Sequence, residues 1–179
     1  GCAWGPRPVD LHLKGLEALG ANIEVTHGYV EATSNGRLPG GNFRFPISSV
    51  GATVNVLMAA TLAKGTSVLE NAAIEPEIDS LVDLLLSMGV KIEGRGTRSL
   101  VVHGVEEMHP GFSETIPDRI EAGSFLCGAV ISRGKVKATK CDPIHIKSLL
   151  DIFEEMGCIV HTGKDWAEVD ASSRDLKPV

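Results

Sequence analysis

One pattern is written three times in this chain: VDLHLKGLEALGANIEV (9–25), IDSLVDLLLSMGVKIEG (78–94) and IKSLLDIFEEMGCIVHT (146–162). In the second copy Ile78, Leu81, Val82, Leu85 and Met88 precede Gly89. Sixty-eight residues on, Ile146, Leu149, Leu150, Phe153 and Met156 precede Gly157. The first copy sets Val9, His12, Leu13, Leu16 and Leu19 before Gly20, 69 residues ahead of the second. Steps of this kind put five side chains on one helical face. The glycine that follows suits the left-handed residue that closes a helix. A fold that satisfies this sequence is therefore assembled from a recurring supersecondary unit.

Each helix is followed by short alternating stretches that predict paired strands: 23–25 with 29–33, 90–92 with 99–103, and 159–161 with 166–169. Between them lie two helices of small apolar residues, GATVNVLMAATLAKG (51–65) and RIEAGSFLCGAVISRG (119–134), each leading into a strand at 67–71 and 135–139. Helices that are apolar nearly all round are expected to be buried on most sides. The unit reads helix, strand, strand, helix, strand, with a sheet on one side and helices on the other. The Pro/Gly-containing HPGFSETIPD (109–118) marks a linker. Residues 1–116 then hold two units of a first domain and 117–179 one incomplete unit of a second. The front of the first copy and the back of the third are absent, so the sequence reads as truncated at both ends.

The net charge of −6 argues against non-specific binding to nucleic acid or anionic membranes. No stretch approaches the roughly 20 apolar residues of a membrane span. The four cysteines, at 2, 127, 141 and 158, form no CxxC pair. That usage suits a reduced, cytoplasmic setting, with Cys127 and Cys158 as small core fillers in apolar runs. No cluster with metal-ligand spacing is present, and no metal or cofactor is expected.

Chemistry is concentrated in two places. GCAWGPRPVDL (1–11) carries Cys2 in a Gly/Pro loop near Arg7, and a cationic neighbour favours the thiolate. Pro8 fits the first position of a helix, and Asp10 its positive end. His12 falls on the apolar stripe and reads as a core histidine. Further on, Ser48-Ser49-Val50-Gly51 opens a buried helix. A serine there caps it, while the free amides and the positive helix end make an anion site that Gly51 leaves open to close approach. Asp118 and Glu121 have the spacing of a capping box, and Glu75 and Glu77 read as solvated or helix-leading charges, with pairing to a lid arginine as the alternative.

GCAWGPRPVDLH (1–12), FPISSVGAT (45–53), AAIEPEI (72–78) and PDRIEAGSFL (117–126) together resemble the enolpyruvyl transferases of peptidoglycan synthesis, over essentially the whole chain. The resemblance implies an inside-out α/β barrel of repeated units. It implies transfer of the enolpyruvyl group of phosphoenolpyruvate to the 3′-hydroxyl of UDP-N-acetylglucosamine, with release of phosphate. By the same resemblance Cys2 is the active-site thiol, either the acid that protonates the methylene carbon or the group that forms an adduct with phosphoenolpyruvate. Arg7, Pro8, Val9, Asp10 and Leu11 line the nucleotide pocket, while Ser48, Ser49, Val50 and Gly51 hold the diphosphate. Ile47 stands where many relatives carry lysine, which removes one cation from that grip. The family's lysine–asparagine pair, its further arginines and its base aspartate are not among these 179 residues. They are expected in N- and C-terminal segments of the same enzyme, without which the chain is inactive. Two other readings stand beside this one: a non-catalytic nucleotide-sugar-binding module, and an enzyme of the related shikimate-pathway kind. Cys2 with RPVDLH weighs against the latter.

Overall fold

A computed structural model of the chain describes residues 8–172 and 175–179, in two compact units, 1–115 and 116–179. In the first unit, helix α1 (Asp10–Ala18) leads into a hairpin of β1 (Asn22–Thr26) and β2 (Tyr29–Thr33), in which Val25 faces Val30. His27 and Gly28 form its two-residue turn, both with positive φ, which suits the twist of the flanking strands. There follow β3 (Asn42–Arg44), α2 (Val50–Thr61), β4 (Thr66–Glu70), α3 (Pro76–Ser87), β5 (Lys91–Glu93) and β6 (Ser99–His103). Their sheet runs β3-β4-β6-β5, with β3 parallel to β4 and the other pairs antiparallel.

The second unit runs α4 (Arg119–Ile131), β7 (Lys135–Thr139), a 3₁₀ turn (Pro143–Ile146), α5 (Lys147–Glu155), β8 (Ile159–Thr162) and β9 (Trp166–Asp170). Its sheet order, β7-β9-β8, repeats β4-β6-β5 of the first unit, again antiparallel throughout. The correspondence reaches the backbone. Gly20, Gly89 and Gly157 all take positive φ after the three periodic helices. Asn71 and Lys140, just past β4 and β7, adopt the same left-handed conformation at φ 54° and 55°.

Each unit buries its own core. In the first, Val56 and Leu57 of α2 pack with Leu69, Val82, Leu100 and Val102. In the second, Leu126 of α4 packs with Leu150, Phe153, Ala167 and Val169. Buried polar groups are matched: the Thr53 hydroxyl accepts from the Ala73 amide at 3.1 Å, and that of Thr61 donates to the Met58 carbonyl at 2.7 Å.

Several expectations are corrected. β3, for which the sequence carried no expectation because three residues cannot show alternation, pairs in register with Val68–Glu70. The third periodic helix starts one residue late. Asp142 caps the Ile144 amide at 2.9 Å, and Pro143 fixes a 3₁₀ turn ahead of α5. α4 is not buried on most sides. Ala122, Leu126 and Ala129 are covered, but Phe125 is 63% and Ile131 87% exposed. Cys127 shares that open side and is not a core filler, whereas Cys158 is buried. Composition alone does not say which flank of a uniformly apolar helix its neighbours cover.

Candidate functional site

Two helix starts are brought together in the first unit because α1 packs directly on α2. The approach depends on Gly15, buried in α1: a Cβ there would collide with Cγ2 of Val56 and crowd the Phe43 ring. The absent side chain lets the two helices touch at the second turn of each.

On α1, Val9 is the N-cap and supplies no side-chain bond. Pro8 is therefore one step outside the helix, not at its first position as expected, and its fixed φ directs the incoming chain. Pro8, Val9 and Asp10 are exposed, while Leu11 is half-buried against the core. Asp10 occupies the first turn as expected and pairs with Lys14 at 3.6 Å, a solvated i, i+4 contact of little energetic weight. Cys2 and Arg7 lie outside the described residues.

On α2, Ser49 is the N-cap, its Oγ accepting from the Ala52 amide at 3.4 Å while its carbonyl accepts from Thr53 at 2.9 Å. The amides of Val50 and Gly51 precede the first intrahelical bonds and have no partner among the described residues. A capped helix start and two amide donors without partners among the described residues therefore occur side by side at the positive end of α2. Ser48 is half-buried beside them, and Ile47, where a cation was noted as absent, is exposed.

His12 differs from its sequence reading. It is half-buried rather than sealed in the core, and its Nδ1 accepts from Nδ2 of Asn55 on α2 at 2.6 Å. Its Cε1–Nε2 edge lies against Gly51, where an added Cβ would stand 3.4 Å from Cε1 and 3.6 Å from Nε2. Sequence reasoning missed Asn55. The available signal was a lone amide midway along an otherwise apolar helix.

Asp118 caps α4, accepting from the Ile120 and Glu121 amides at 2.8 and 3.0 Å. The reciprocal half of the capping box is absent, since no bond from the Glu121 side chain back to Asp118 is formed. Glu75 is the N-cap residue of α3, and Glu77 lies in its first turn. His103 bonds Glu93 at 2.8 Å, and His109 the Pro110 carbonyl at 3.1 Å. Burial foremost pushes the Cys141 and Cys158 thiols up, away from nucleophilic use. Among the described residues no group of three His, Cys, Asp or Glu could hold a metal ion, and no helix is long and apolar enough to cross a membrane.

The profile of the EPSP synthase (3-phosphoshikimate 1-carboxyvinyltransferase) family matches residues 1–179. Over all 179 residues the chain is 54% identical to UDP-N-acetylglucosamine 1-carboxyvinyltransferase of Acinetobacter baylyi, 49% to that of Shewanella halifaxensis and 46% to that of Aeromonas hydrophila. It spans 43% of the length of each of these relatives. Among solved structures, the enolpyruvyl transferase NikO from Streptomyces tendae superposes with a TM-score of 0.80 at 23% identity, over 96% of this chain and 44% of that one. The EPSP synthase from Acinetobacter baumannii superposes at 0.65 and 21% identity, over 97% and 41%. The fold is thus the enolpyruvyl transferase α/β fold that the repeats and motifs imply.

Proposed function

The chain belongs to the EPSP synthase (3-phosphoshikimate 1-carboxyvinyltransferase) family, and on that premise we propose that it works as part of a UDP-N-acetylglucosamine 1-carboxyvinyltransferase. The observation that carries this reading is identity of 46–54%, sustained over every residue of the chain, to proteins of that name. In that activity the 3′-hydroxyl of UDP-N-acetylglucosamine gives its proton to a base as its oxygen joins C2 of phosphoenolpyruvate, while an acid adds a proton to the methylene carbon and makes it a methyl group. Loss of one methyl proton to a base, with departure of phosphate, then restores the double bond. Its product feeds peptidoglycan synthesis in the cytoplasm, and through it cell shape and division.

In this reading Arg7, Pro8, Val9, Asp10 and Leu11 border the nucleotide. The diphosphate sits at the start of α2, within reach of the Val50 and Gly51 amides and of Ser48 and Ser49. Main-chain donors suit it because they are fixed in place and bring no positive charge that must be desolvated. Cys2 supplies the thiol as acid or adduct-former, and residues 1–116 and 117–179 belong to successive domains of the enzyme.

Phosphate release in the presence of both substrates tests the proposal. A chain of the relatives' length carrying these residues is expected to turn over, and its Cys2→Ala variant to lose activity. The 179 residues alone are expected to give only background. Turnover of 3-phosphoshikimate in place of the nucleotide sugar would overturn the assignment.

A further inference from the structure

We propose that Asn35 is a self-modifying site: its side chain closes a ring with the Gly36 nitrogen, and hydrolysis leaves aspartate or isoaspartate between β2 and β3. The isoaspartate form loosens the joint that Arg37 makes two residues on.

Such a step needs an open carboxamide, a following amide nitrogen free to attack it, and no side chain in the way. Of the five asparagines, at 22, 35, 42, 55 and 71, only Asn35 precedes a glycine. Ser34, Asn35 and Gly36 are all exposed, and a Cβ built on Gly36 would meet nothing within 4 Å. Neither the Asn35 side chain nor the Gly36 N–H makes a hydrogen bond among the described residues. The Ser34 hydroxyl donates to the Gly36 carbonyl at 2.7 Å, on the far side of that nitrogen, and so leaves it available. Asn71 shows the contrast. The amide after it, that of Ala72, donates to the Arg98 carbonyl at 3.0 Å, and Ala72 carries a methyl group. Asn22 and Asn42 open strands, and Asn55 lies inside α2.

The Gly36 nitrogen loses its proton to hydroxide and bonds to Cγ of Asn35. The Cγ–Nδ2 bond breaks, and Nδ2 departs as ammonia. Water then opens the five-membered imide at either carbonyl. Opening at the main-chain carbonyl gives isoaspartate, whose backbone runs through Cβ and Cγ and is one atom longer. Both ends of this loop are pinned. Thr33 is paired with Asn22, while Arg37 donates to the carbonyls of Leu62, Ala63 and Val105. Only residues 34–36 lie between those anchors, so the added atom has little chain in which to be absorbed.

Prolonged incubation of a chain of the relatives' length at mildly alkaline pH, followed by mapping of the tryptic peptide 15–37, tests the proposal. That peptide contains Asn22 and Asn35 side by side in one measurement. Mass spectrometry should show amine exchanged for hydroxyl at Asn35 and not at Asn22, at a rate that rises with pH. An isoaspartyl carboxyl methyltransferase supplied with labelled S-adenosylmethionine should methylate the aged peptide. Asn35→Gln, whose closure needs a six-membered ring, should remain unmodified. The aged parent should melt below the fresh protein, and Asn35→Gln should remove that loss. An unconverted Asn35, or equal conversion at Asn22, overturns the proposal. Isoaspartate at this position with an unmoved melting temperature overturns the effect on the Arg37 joint.

Discussion

Gly15 of α1 and Val56 of α2 touch with no space for a side chain between them. That contact sets how closely the two helix starts approach. Gly15→Ala places a methyl against fully buried Val56. Overpacking of this kind costs about 1–3 kcal/mol, from which about 1 kcal/mol of improved helix propensity is recovered. Urea unfolding should show the net loss, and Val56→Ala introduced second should cost less in the Gly15→Ala background than alone. Simple additivity of the two substitutions would mean the helices are free to separate.

A second joint is Arg37. Its Nε donates to the Leu62 carbonyl at 2.9 Å, and its Nη2 to those of Ala63 at 2.8 Å and Val105 at 2.6 Å. One planar cation thus ties the end of α2 to the chain leaving β6. Lysine cannot reproduce the fork. Both Arg37→Lys and Arg37→Met are expected to lower stability by about 1–3 kcal/mol, the cost of stranding part-buried carbonyls. Equal melting temperatures for the lysine variant and the parent would show that a point charge suffices.

Much of this architecture was legible before folding, and the parts that were not have physical reasons. The three helices with C-cap residues Leu19, Met88 and Met156 were readable because an amphipathic stripe and its closing glycine are both local. β3 was not, since a three-residue strand gains its stability from pairing with β4, whose partner residues lie 26 positions further on. His12 occupies a stripe position like Leu81 or Leu149, so periodicity assigns it to the core. Its partner 43 residues on, and the close helix approach allowed by Gly15, are tertiary facts. The candidate site was half legible: Ser49 and Gly51 stand out in sequence, whereas the lone amide of Asn55 gains its meaning only from the helix packed against it.

Asp83 and Arg95 give a pH-dependent contribution. Their two bonds, 2.6 and 2.8 Å, hold the Asp83 carboxyl below its ordinary value, the hydrogen bond from Arg95 being the main cause. A carboxyl lowered in the folded state stabilises fully above its unfolded pKa, and this is lost as pH falls through the lowered value. Both side chains are close to half exposed, so screening limits the pair to a few tenths of a kcal/mol. The stability difference between the parent and Asp83→Asn should be present at neutral pH, shrink in high salt and vanish in strong acid. A difference that persists unchanged at pH 2 would assign it to packing.

The four thiols should separate by environment. Cys141 and Cys158 are buried with thiols pushed up, and Cys127 is exposed. In the native protein at neutral pH a general alkylating agent should therefore reach Cys127 and spare Cys141 and Cys158 until the chain is unfolded. Fosfomycin, an epoxide phosphonate, should instead select Cys2, as the resemblance of GCAWGPRPVDLH implies. Peptide mass mapping distinguishes the two patterns, and a fosfomycin adduct on Cys127 with Cys2 intact would contradict the assignment of the thiol.

Gly51 separates ligand approach from folding more cleanly than any other residue of the site. It is exposed and helical, and an added Cβ would meet only the His12 ring at ordinary contact distances of 3.4 and 3.6 Å. Gly51→Ala therefore introduces no steric strain and gains about 1 kcal/mol of helix propensity, so its melting temperature should hold or rise slightly. If the diphosphate closes on the Val50 and Gly51 amides, the same methyl stands where phosphate oxygens must come. UDP-N-acetylglucosamine affinity should then fall while stability does not. Gly51→Val, larger and branched, should weaken binding further and press on His12. Ser49→Ala loses a cap and should cost about 1 kcal/mol of stability with a smaller effect on affinity. Calorimetric titration beside thermal unfolding, on a chain of the relatives' length, reads both quantities. Unaltered affinity in Gly51→Val would remove the diphosphate from the start of α2.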